Sequence, residues 1–134
     1  METIVQITAK PDAPVACDMS AAADTPEERL SEYRQLFTRA LIGRERSGTA
    51  AVFRFADKPG VREWIRDLAP REAACCSFLT YDIVAGDGTI TWTVTGADVP
   101  SVHAVLDEWY AAPDWVGDGP DTVGSVVSRP RDGR

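Results

Sequence analysis

Three cysteines and one carboxylate are the residues of this chain best suited to chemistry. Glu72 precedes the adjacent thiols Cys75 and Cys76 by three and four residues, the two spacings at which side chains of one helix meet. A carboxylate and two thiols gathered in this way can bind a soft cation through sulfur. They can also pair a nucleophilic thiolate with a group that moves its proton. The third thiol, Cys17, lies in Val15-Ala16-Cys17-Asp18-Met19, two positions from a thioether. Loops carry functional groups more often than cores do, although a single loop cysteine also serves as a small residue packed against its domain.

A bland reading stands beside the chemical one. Free cysteine is among the most often buried residues, so Cys75 and Cys76 could fill space before Phe78 and Leu79. Glu72 falls on the apolar stripe set by Ile65 and Leu68, where an ionised side chain is costly without a partner. Arg54, Arg71, a metal ion, or a raised pKa that makes Glu72 an acid or base are the candidate solutions. Neighbouring helical cysteines diverge by about 100° and do not readily bond to each other. With an odd cysteine count, a disulfide framework is not expected; reduced thiols, metal ligands or buried small residues are. The paired Cys-x-x-Cys spacing of a strong zinc motif is missing. His103, the one imidazole, is distant in sequence and reads as a boundary residue.

The elements that must position these groups follow from periodicity. Ile4, Val5 and Ile7 suggest a short strand, and Pro11 to Asp24 reads as a loop. Thr25-Pro26-Glu27-Glu28 is a capping box with proline in the first turn. It starts a helix with Leu30, Tyr33, Phe37 and Leu41 on one face and Gly43 as terminator. Arg44 to Gly48 reads as a charged turn, a solvated connection in preference to an anion grip. Ala51, Phe53 and Phe55 alternate in a strand, and a helix spans about Val61 to Ser77, with Pro70 predicting a kink or a restart. Leu79 to Val84 and Thr89 to Thr95 alternate around Gly86-Asp87-Gly88 as a hairpin with one apolar and one threonine-rich face. A last helix from Asp98–Ser101 buries Val102, Val105, Leu106 and Trp109.

This order predicts an α+β fold of two layers: a ferredoxin-like βαββα core over Thr49 to Tyr110, an added N-terminal helix, and an N-terminal strand at the open sheet edge. One domain over 1–112 and a Pro- and Gly-rich tail over 113–134 are expected. The 134 residues carry 21 acidic and 14 basic side chains, a formal charge of -7. That balance opposes non-specific attraction to nucleic acid and to anionic membranes. No apolar run reaches the ~20 residues of a membrane span, and the N-terminus lacks the pattern of a secretory signal, so a cytoplasmic protein is expected. A homo-oligomer is compatible with the sequence.

Together, Ala16-Cys17-Asp18-Met19, Thr25-Pro26-Glu27-Glu28-Arg29-Leu30, Gly43-Arg44-Glu45-Arg46 and Glu72 followed by Cys75-Cys76-Ser77-Phe78 resemble a group of small, mostly uncharacterised bacterial proteins with a Glu-x-x-Cys-Cys motif. The likeness covers roughly residues 15 to 112. Similar domains occur near heavy-metal-responsive regulators, which implies metal handling by association and supplies no catalytic residues. The leading expectation is a soft-metal or metalloid site of Cys17, Cys75, Cys76 and Glu72, with Met19 or His103 as outer ligands and copper(I), mercury(II) or zinc as the ion. No organic cofactor is indicated; the partner is a metal ion or small molecule. The alternative is a cysteine-dependent enzyme in which Cys75 or Cys76 attacks and Glu72 or Asp18 moves a proton. A binding module with structural cysteines is the third.

Overall fold

A computed structural model describes residues 1–116. The chain runs β1 (Glu2–Ile7), α1 (Pro26–Ala40), β2 (Leu41–Ser47), β3 (Ala50–Ala56), α2 (Val61–Cys75), β4 (Thr80–Gly86), β5 (Thr89–Thr95) and α3 (Pro100–Val116). All strands join one antiparallel sheet in the order β1-β4-β5-β3-β2. The fold is thus mixed α+β with three helices. Its strand order and helix count do not establish the ferredoxin-like arrangement. The expected tail lies outside the described residues beyond Val116, and α3 itself runs past residue 112. Among the described residues no helix is long and apolar enough to cross a membrane.

The strand alternation read from sequence decides which sheet face is covered. Val5, Ile83, Trp92 and Phe53 pair in one row across four strands, and all four are buried. Helix α2 packs over β1 and β4, and α3 over β3 and β2. The opposite face carries Thr91, Thr93 and Thr95 with Asp82 and Arg54, which suits contact with water. The β4–β5 turn confines itself to Asp87 and Gly88, both at positive φ (57° and 79°), as a two-residue type I′ hairpin requires.

Three local expectations are corrected. Arg44 to Gly48 is no turn, because Leu41–Ser47 forms the edge strand β2. Arg44 and Arg46 lie opposite Phe53 and Ala51, on the covered side, where α3 receives their charged ends. Arg44 donates to the Tyr110 carbonyl at 2.8 Å, and Arg46 to Asp107 at 2.9 Å. Helix α2 runs through Pro70 and ends at Cys75, short of Ser77. Pro70 is exposed, so water can solvate the carbonyl that its missing N–H leaves free. On α1 the buried stripe is Arg29, Leu36, Phe37 and Ala40; Leu30 faces outward at 39 % exposure.

Two substitutions test this packing. A Cβ at Gly96 would stand 2.4 Å from Val102 Cγ1 and 3.0 Å from Leu79 Cδ2, so Gly96→Ala is expected to cost about 1–3 kcal/mol in chemical denaturation. Pro70→Ala restores a helical N–H and is expected to stabilise by about 2 kcal/mol, once the greater freedom of the unfolded chain is deducted from the interior-proline penalty. A destabilised Pro70→Ala protein would count against a continuous α2.

Candidate functional site

The site is built at the C-terminal end of α2. Glu72 and Cys75 lie in its last turn, and Cys76 is the C-cap, with φ -122° and ψ 62° outside the helical region. Its backbone N–H still donates to the Glu72 carbonyl at 3.0 Å. The loop between β1 and α1 wraps this helix end. Lys10 N–H donates to the Ser77 carbonyl (2.9 Å), and Asp18 N–H to the Cys75 carbonyl (3.0 Å). Two carbonyls at the helix end are thereby satisfied by the loop. Between these anchors Cys17 reaches Cys76.

Cys17 and Cys76 are joined by a disulfide across a sequence separation of 59, with Cα atoms 4.5 Å apart. This corrects the expectation that no thiol would be oxidised: the odd cysteine is Cys75, which is free and buried. The adjacent pair is not bonded together, in keeping with the divergence of neighbouring helical side chains. In a chain-entropy description, closing a loop of this length stabilises by about 4 kcal/mol. The two residues differ in exposure: Cys17 is exposed, whereas Cys76 is 0 % exposed.

Glu72 shares the inward face with both α2 cysteines. One of its carboxylate oxygens, Oε2, lies 3.5 Å from Cys76 Sγ. The other accepts from Arg29 Nη1 at 2.8 Å. Neither Arg54 nor Arg71 is its partner. Arg54 pairs with Glu45 on the uncovered face, and Arg71 reaches Asp24, Glu32 and Asp67. Arg29 is the one buried charged residue among those described. Asp24 grips it through Nε (2.6 Å) and Nη2 (2.8 Å), leaving Nη1 for Glu72. Asp24 and Glu72 each favour the charged guanidinium, and the Asp24 hydrogen bonds are the main cause of its raised pKa.

Beyond Glu72 the site merges with an aromatic cluster. Trp92 lies 6.2 Å from Tyr33, 6.4 Å from Tyr81 and 5.8 Å from Trp109, ring centre to ring centre. The Tyr33 and Tyr81 hydroxyls and Trp92 Nε1 are buried and have no hydrogen-bond partner among the described residues. Burial pushes both phenols well above their ordinary pKa, and the charge of Glu72 adds to the shift. Both hydroxyls therefore stay protonated.

The remaining candidates lie elsewhere. Met19 is half-buried against the core, and Asp18 turns its carboxylate to the Ser20 N–H at 2.9 Å. His103 stands between Asp98 and Arg46 at the α3 end. Among the described residues no group of three or more His, Cys, Asp or Glu side chains is placed to hold a metal ion. Sequence reasoning missed Arg29 and Asp24. The available signal was the excess of acids near the start of α1, together with a buried carboxylate on α2 that needed a cation. No family model, curated protein or solved structure matches the chain.

The ion triad of Asp24, Arg29 and Glu72 makes an acid-stability prediction. Arg29 holds Asp24 down to about 2, against an ordinary value of 3.8. A depressed carboxylate contributes stability that is complete above its unfolded value and is lost as pH falls through its folded value. Asp24→Asn should therefore be less stable than the parent at pH 5, with the gap closing between about pH 4 and pH 2. Denaturant titrations across that range check it; a gap independent of pH would reject the ionic role of Asp24.

Proposed function

We propose that Cys17 and Cys76 are a redox-active dithiol/disulfide pair performing thiol chemistry, with Glu72 as the group that accepts and returns the Cys76 proton. The observation that carries this reading is the position of a half-buried carboxylate, its Oε2 3.5 Å from Sγ of the buried Cys76. A crosslink serving only stability needs no carboxylate there, and an ionised group on an inward face is costly to keep. When the disulfide is reduced, Cys76 becomes a thiol beside Glu72, which lies on the same face one helical turn earlier and can take its proton. The thiolate is the nucleophile in disulfide chemistry, so a nearby proton acceptor favours re-oxidation. Arg29 acts as a positioning residue, since it fixes the other carboxylate oxygen.

The reading also asks that the reduced protein remain folded. The sheet and its helices bury a continuous core from Val5 to Leu106, and domains of this size commonly have roughly 5–15 kcal/mol of stability, of which reducing the crosslink removes about 4. We regard the β3-α2-β4-β5-α3 segment as a variant of the ferredoxin-like module, supported by antiparallel strands with helices on one face. No step of the chemistry depends on it.

A second reading keeps the soft ion. Reduced Cys17 and Cys76 would present two thiolates that can approach each other, with Cys75 next in the chain as a third sulfur. Two sulfurs suit mercury(II) or copper(I), which accept low coordination, better than zinc, whose structural sites are tetrahedral. The resemblance to Glu-x-x-Cys-Cys proteins points the same way. Anaerobic titration of the reduced protein with mercury(II), followed by sulfur-to-metal absorption, should show one ion bound and its loss in Cys17→Ser. Uptake unchanged by that substitution would discard a Cys17–Cys76 ion site.

For the redox reading, thiol counting in denaturant should find one free thiol before reduction and three after. In a graded thiol/disulfide buffer the pair should interconvert reversibly with the near-ultraviolet circular dichroism of the tryptophan cluster retained. Glu72→Gln should slow re-oxidation about tenfold or more, the usual order for a proton-transfer group. Loss of tertiary structure on reduction would reassign the disulfide to stability alone.

A further inference from the structure

The two cysteines of the pair are unequally exposed, and the inequality gives the reaction a direction. Resting on the redox reading above, we infer that exchange enters at Cys17, is resolved by Cys76, and favours a small disulfide carrying positive charge. Thiol–disulfide exchange requires the attacking thiolate, the central sulfur and the leaving sulfur to come into line, so access decides which sulfur reacts. Cys17 sits in the exposed part of the β1–α1 loop, while Cys76 has no exposed surface. Cys75, also buried, is outside the path.

The steps balance without any further reactant. The Cys17 thiolate attacks one sulfur of an external disulfide; the S–S bond breaks, a Cys17 mixed disulfide forms and one small thiolate leaves. Cys76 then passes its proton to Glu72, and its thiolate attacks Cys17 Sγ. The mixed disulfide breaks, the second small thiolate leaves, and the Cys17–Cys76 bond is restored. The external disulfide is reduced by two electrons and the protein dithiol is oxidised by two. Glu72 releases its proton to the departing thiolate or to water.

Charge around the entry point selects among small disulfides. Asp12, Asp18, Glu27 and Glu28 are exposed on the loop and the first turn of α1, against the single exposed base Lys10. Asp24 is held by Arg29 and Arg71. The loop that carries Cys17 and the helix turn that follows it therefore expose mainly acidic side chains, and the chain as a whole carries -7. Exposed charges within about 10 Å act on an incoming ion at low salt and are screened at high salt.

The test uses the reduced full chain with cystamine, bis(2-hydroxyethyl) disulfide and dithiodiglycolate as cationic, neutral and anionic probes. Each rate is divided by that of the same probe with N-acetylcysteine amide, which removes differences in leaving-group chemistry. The normalised rate should fall from cationic to anionic by about fivefold at low ionic strength and converge near 1 M salt. Cys76→Ser should stop at one stoichiometric adduct on Cys17, and Cys17→Ser should form none while folded. As a check independent of any variant, brief iodoacetamide treatment of the reduced wild-type chain should label Cys17 before Cys76, with Cys75 labelled only on unfolding. First labelling of Cys76, or a fastest normalised rate with the anionic probe, would overturn the inference. No exchange with any probe would instead reject the redox reading itself.

Discussion

The carboxylate of Glu72 is the constraint around which this end of the molecule is arranged. It lies on the inward face of α2 with only 15 % of its side chain exposed, where an unpaired charge would cost several kcal/mol, roughly. Arg29 is drawn into the interior to meet it, and this turns α1 so that Leu30 faces water while an arginine occupies the buried stripe. Asp24, just before the helix, holds the remaining edge of the guanidinium. The far end of the β1–α1 loop is thereby fixed to α1 by charge, as its near end is fixed to the segment just after α2 by the backbone bond from Lys10 to Ser77. Cys17 hangs between two anchored points, and its meeting with Cys76 follows from that suspension.

The hairpin of β4 and β5 was legible because both strands are central: every second residue is buried, and Asp87-Gly88 supplies the positive φ of the turn. The capping box of Thr25 and Glu28 was legible because all its atoms are local, and both of its hydrogen bonds are present. Strand β2 was not, since it is an edge strand whose inward positions hold Arg44 and Arg46. The apolar stems of arginines can cover a core while their ends reach a neighbouring helix, and here that helix lies more than fifty residues further along. The same limit hid the disulfide. Glu72, Cys75 and Cys76 could be placed on one helical face from spacing alone, whereas the arrival of Cys17 depends on how a long loop is tethered.

Stability and chemistry are separated in space. The large side chains of the core, Trp92, Phe53 and Phe55 among them, lie between the sheet and the helices. The disulfide closes a loop at the end of one of those helices. A domain with such a core does not need a crosslink in the way that very small secreted domains do. Tyr33 and Tyr81, whose buried hydroxyls have no hydrogen-bond partner among the described residues, mark where the two regions meet, because buried donors without partners are costly and persist in native proteins chiefly where something else compensates. The charge of Glu72 contributes to raising both of their pKa values.

Two adjacent cysteines with opposite fates are explained by the end of the helix. Cys75 is the last helical residue, and its side chain is confined to the packed face, where it lies close enough to Tyr81 to affect that phenol. Cys76 has already left helical dihedrals, although its N–H still closes the last turn on Glu72. That change of backbone direction gives its sulfur access to the loop while keeping it against the Glu72 carboxylate. The termination at Cys75, reinforced by the Asp18 N–H capping the Cys75 carbonyl, makes one thiol a partner for the loop and leaves the other in the core.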